Sequence, residues 1–97
     1  MIDNEKIVYN AVIETSSIYL KNDEIVFKLI LKANNHTPII LHLSKPEKPL
    51  NSVLKELFYV TDTIDFNQLE GTYVRVTEQD GKIIRLSNII TEKHFDI

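Results

Sequence analysis

The sequence predicts an all-β domain, a five-stranded barrel with one short helix between its third and fourth strands. Three observations carry this. Most segments alternate apolar and polar residues with the period of two that marks a strand buried on one face. One segment changes to the helical period, and the first strand slips phase in its middle, as a strand bent around a barrel must.

The first segment, Ile7 to Leu20, places Ile7, Tyr9, Ala11 and Ile13 at odd positions but Ile18 and Leu20 at even ones. A strand cannot change parity without an extra residue or a bend, so a bulge is expected near Thr15-Ser16-Ser17. Such a strand pairs with one neighbour through each half. The second segment alternates Ile25, Phe27, Leu29, Leu31 and Ala33 inward with Val26, Lys28, Ile30 and Lys32 outward. Asn34-Asn35 tolerate the positive φ of a tight turn, and a third strand beginning near Thr37 puts Ile39, Leu41 and Leu43 inward, with Ile40 and His42 outward. Pro38 removes a backbone donor and belongs at a strand start or edge.

Leu50, Val53, Leu54, Leu57 and Phe58 then follow helical spacing, after Pro49 and with Asn51 and Ser52 as capping candidates. Asp65 and Gln68 have capping-box-like spacing, and Gly71 stands where a left-handed residue ends a turn, so Asp65 to Glu70 reads as a one-turn corner. Thr72 to Thr77 and Lys82 to Ile90 are the last two strands, joined through Asp80-Gly81, a strong hairpin signal. Val74, Val76, Ile84 and Leu86 are expected inward, and Tyr73, Arg75, Ile83 and Arg85 outward. The tail, 91–97, is polar and expected to fray.

The resulting order, long bent strand, strand, strand, helix, strand, strand, is that of the OB-fold, a five-stranded Greek-key barrel. One domain is expected over residues 1–97, since 97 residues with 43 % hydrophobic and 26 % charged content support a single core. The stretches "LNSVLKEL" and "DFNQLEGTYVRVTEQDGKIIRLSNI" together resemble a class of small OB-fold-like proteins of bacteriophages and other mobile elements, found near replication and recombination functions. The resemblance covers about the last half of the chain. It implies nucleic-acid binding, and Thr72 stands where the class carries a basic residue after the corner glycine.

No sequence motif specifies a reaction. His36, His42 and His94 lack metal-site spacing, no cysteine is present, and the two glycines form no phosphate-cradling loop. A non-enzymatic binding module without metal or small-molecule cofactor is therefore expected. The absence of a long apolar run or a signal-like start points to a cytoplasmic protein with no membrane partner.

Net charge is −3, yet Ile25 to Lys55 holds five lysines and one acid, whereas Glu56 to Asp80 holds six acids and only Arg75. The basic middle reads either as an ordinary solvated strand face or as part of a ligand surface. OB-folds bind single strands with a positive groove and aromatic platforms, which assigns Lys28, Lys32, His42, Tyr73, Arg75 and Arg85 as the nucleic-acid-binding set. The alternative is a protein partner or homo-oligomer, seated on the apolar share of the outward face, Val26, Ile30, Ile40 and Ile83.

Overall fold

The computed structural model describes residues 6–34, 37–43 and 48–97. Asn35 of the expected Asn34-Asn35 turn, His36 and Lys45 lie outside these residues. Mostly β, the chain runs β1 (Lys6–Lys21), β2 (Glu24–Lys32), β3 (Ile39–His42), α1 (Leu50–Thr61), a 3-10 turn (Phe66–Gln68), β4 (Tyr73–Gln79), β5 (Lys82–Ser87) and β6 (His94–Asp96). One antiparallel sheet holds all these strands in the order β3-β2-β1-β4-β5-β6.

The expected five-stranded closed barrel is thus corrected to an open six-stranded sheet. Closure would have used the far side of β5. That side is occupied by β6, built from the tail expected to fray, with Leu86 opposite Phe95. Phe95 is 1 % exposed and completes the core, which rewards ordering a polar tail around one large apolar side chain.

β1 behaves as its phase slip requires. Its first half pairs with β4, from Lys6 opposite Gln79 to Val12 opposite Tyr73, and its second half pairs with β2, from Val12 opposite Lys32 to Lys21 opposite Glu24. The extra residue is Glu14, between Ile13 and Thr15, just before the expected position. Ala11 and Ile13 are buried before it and Ser16 after it, so the bulge returns the core-facing parity to the sheet. Ile7, Ile18, Leu20 and Ile25, expected inward, are nevertheless substantially exposed. They lie on the core-facing side but beyond the ends of the core, because β1 is longer than the layer that covers it.

The β1–β2 turn, Asn22-Asp23, has positive φ at both residues, as does Asp80-Gly81 between β4 and β5, so both hairpins use a two-residue turn whose twist matches the strands. Between Thr77 and Glu78 the β4–β5 register skips Ile84, which changes the parity of β5. Ile83 therefore packs against the core in place of Ile84, reversing the expected pair. The bulge carbonyl of Ile84 accepts from Ile97 N–H at 3.0 Å.

α1 buries Val53, Leu57, Val60 and Thr61. Pro49, not Asn51 or Ser52, is its N-terminal boundary, and its carbonyl receives Ser52 and Val53 N–H. Asp62 ends the helix in the left-handed conformation. Phe58 packs partly against the core, whereas Tyr59 is exposed. At the corner, the Asp65 carboxylate accepts from Asn67 N–H at 2.8 Å and Gln68 Oε1 from Ile64 N–H at 3.0 Å, so both side chains cap the turn, each one residue away from the reciprocal capping-box pairing. Leu69 plugs the core, and Gly71 has φ +89°. Gly71 N–H and Thr72 C=O then bond to Ile13 at 2.8 Å each, fixing where β4 begins.

The C-terminal crossing is held by Asn88, which sequence reasoning missed. Its buried amide donates to the Val60 carbonyl at 2.8 Å, satisfying an orphan carbonyl of the last helical turn, and its Oδ1 accepts from Ile90 and Thr91 N–H. An Asp62–Lys93 ion pair lies beside it. Together they turn the chain into β6. No helix among the described residues is long and apolar enough to cross a membrane.

Candidate nucleic-acid interface

The outward face of β2, β1 and β4 is set by the same alternation that builds the core. Because Leu29 and Leu31 are buried, Lys28 and Lys32 point away from it. Lys32 lies across from Val12, and Val12 from Tyr73, so these three residues form one row over three adjacent strands. Tyr73 is exposed. At the other end of β1, Lys28 sits opposite both Ser17 and His42, and its ammonium lies 5.5 Å from the centroid of the Tyr19 ring.

The structure thus adds Tyr19, which sequence reasoning missed. Its signal was present: Tyr19 has odd parity, and beyond a bulge odd positions of β1 face outward. Two tyrosines separated by about 20 Å of strand bracket the lysines. Beside the Tyr73 end lies a concavity of about 310 Å³ lined by Tyr9, Asn10, Val12, Lys32, Ala33, Asn34 and Tyr73. The Tyr9 hydroxyl donates to the Glu78 carboxylate; burial, and then that carboxylate, push the phenol well above its usual range.

The other assigned residues share the face but differ in availability. Arg75, two residues along β4 from Tyr73, donates to the Ile89 carbonyl at 3.0 Å. Arg85 is paired with Asp96 at 2.5 Å, a contact that raises the guanidinium pKa and lowers that of the carboxyl. Its charge is locally neutralised, so Arg85 is set apart from the lysines. His42 is exposed on β3.

Of the apolar alternative, Ile30 and Ile40 are directly opposed on β2 and β3, and Val26 pairs with Tyr19. Ile40 is 59 % exposed. Ile83 is corrected: the bulge at Ile84 turns it inward, where it packs, partly buried, against the core. Among the described residues no group of histidine, aspartate and glutamate side chains is arranged to hold a metal ion. No protein-family model, curated protein or solved structure matches the chain.

Proposed function

We propose that the chain is a non-enzymatic binding module that takes single-stranded nucleic acid along the outward face of β1, β2 and β4. One observation carries this reading: Tyr19 and Tyr73 stand at opposite ends of a strip whose cations are Lys28 and Lys32. A flexible strand offers bases to aromatic rings and phosphates to ammonium groups, and a strip with rings at both ends and charge between them meets both needs. Each stacked base contributes about 1–3 kcal/mol, so two tyrosines supply a moderate, sequence-tolerant affinity. The lysines add a salt-dependent share. A role beside replication or recombination is part of this proposal and is supported only by the sequence resemblance to small phage and mobile-element proteins.

Fluorescence anisotropy with a labelled oligonucleotide at two salt concentrations tests it. Binding at low salt that weakens as salt rises is expected. Lys28→Glu with Lys32→Glu should abolish most of it and lower the logarithmic salt slope by about 1.4, the value for two neutralised single-strand phosphates. Absence of binding at low salt, or a double variant that binds as wild type, would overturn the proposal.

The second reading, a protein partner, rests on Ile30 and Ile40. These adjoining side chains leave an apolar spot in the middle of the same face, where a protein surface gains more than a phosphate backbone does. Ile40→Lys separates the two: it should leave oligonucleotide binding intact or strengthened, and would disrupt a protein contact.

A further inference from the structure

The second half of β1 has an open edge. In an antiparallel strand, alternate residues direct both N–H and C=O toward the same neighbour. Ile13 faces β4, exchanging bonds with Gly71 and Thr72. The extra residue at Glu14 shifts the parity, and Ser16 then faces that side, its N–H reaching the Glu70 carboxylate at 3.2 Å. Ile18 and Leu20 follow with the same orientation. The β4 ladder, however, ends at Val12 opposite Tyr73, so nothing among the described residues pairs with the backbone of Ile18 or Leu20 on that side.

This edge is unlike the sheet's outer ones. β3 and β6 are four and three residues long, a length that discourages pairing. The β1 edge belongs to a long strand, and Glu70 covers only its Ser16 end. The side chains on its core-facing side, Ile18, Leu20 and the adjoining Ile25, are 41 %, 67 % and 49 % exposed. Backbone groups unpaired among the described residues and exposed apolar side chains coincide on one short segment.

We propose that a second copy of this chain docks on this edge, antiparallel, about a two-fold axis at Tyr19. In that register Ile18 of one protomer exchanges backbone bonds with Leu20 of its partner, and the reverse, using just the free groups and leaving Ser16 with Glu70. The edge is self-complementary, as a two-fold interface requires. Ile18 and Leu20 of both copies form one apolar row on the core-facing side, and the two Tyr19 rings lie side by side on the other. Charge agrees: Lys21 falls opposite Ser17 of the partner, next to the Ser16 that carries Glu70, so the ammonium of one copy approaches the carboxylate of the other. The sheet becomes continuous through the pair, and the strip of one protomer runs into that of the next.

So small an interface gives a weak, concentration-dependent dimer, micromolar or weaker. Sedimentation equilibrium from about 10 µM to 1 mM, without nucleic acid, should show a monomer–dimer equilibrium. Ile18→Lys with Leu20→Lys, both at exposed positions, should weaken the dimer about tenfold or more while leaving the thermal midpoint near wild type. Because the chain has no cysteine, Tyr19→Cys provides a direct trap. Directly opposed non-hydrogen-bonded residues lie close enough for a disulfide, so mild oxidation should give a covalent dimer, whereas Lys82→Cys on the other hairpin should not. A monomer throughout the range, a dimer unchanged by the double lysine variant, or equal cross-linking at both cysteines would each overturn the proposal. None of these outcomes depends on whether the face binds nucleic acid.

Discussion

The two ends of the sheet solve the same problem differently. At the C-terminal end a short, polar segment is ordered because a few residues fit well: Phe95 fills the core, Asn88 ties the crossing to the helix, and ion pairs lie outside. At the β1–β2 hairpin the sequence is more apolar, yet Ile18, Leu20 and Ile25 remain exposed. Hydrophobicity therefore does not decide burial by itself. A layer must exist to cover the side chain, and α1 packs against β4, β5 and β6, away from the β1–β2 hairpin.

Substitutions can break this contrast, and the largest effect belongs to the polar tail. Phe95→Ala should cost about 3–5 kcal/mol in denaturant unfolding, the loss for a buried aromatic. Asn88→Ala should cost about 2–3 kcal/mol by the same measurement, since it leaves the Val60 carbonyl buried without its donor. Tyr9 offers a pH test. Its phenol pKa is raised in the fold, so its contribution is complete below the unfolded value near 10 and is lost as pH climbs above that. Tyr9→Phe should cost roughly 1 kcal/mol at neutral pH and flatten the decline in stability above pH 10, measured by urea midpoints. Leu20→Ala, despite removing a large apolar side chain, should change stability by no more than about 0.5 kcal/mol. If Leu20 proved as costly as Phe95, the hairpin would have a covering layer and the contrast would fail.

What the sequence disclosed follows the same division. Local grammar was legible: the β1 phase slip, the Asp80-Gly81 turn, the Asp65–Gln68 cap and the Gly71 corner all depend on residues close together in the chain. Non-local fits were not. Phe95 looks like one aromatic in a polar tail until Leu86 stands opposite it, and Asn88 is an ordinary loop residue until the helix end arrives above it. The skip at Ile84 carries no composition signal, so Ile83 and Ile84 were exchanged. At the candidate interface, Lys28, Lys32 and Tyr73 were legible from alternation, but the row that joins Lys32 to Tyr73 depends on β1 changing partners at Val12. Arg85 looked equivalent to them because its pairing with Asp96 requires β6.

Chemical-shift mapping by NMR with a short single-stranded oligonucleotide at low salt tests the central claim most directly. The proposal predicts shifts concentrated at Val12, Tyr19, Lys28, Lys32 and Tyr73, fading as salt is raised, with Phe95, Val60 and the rest of the α1–β6 side unmoved. Shifts centred on α1 and β6, or none at low salt, would contradict it.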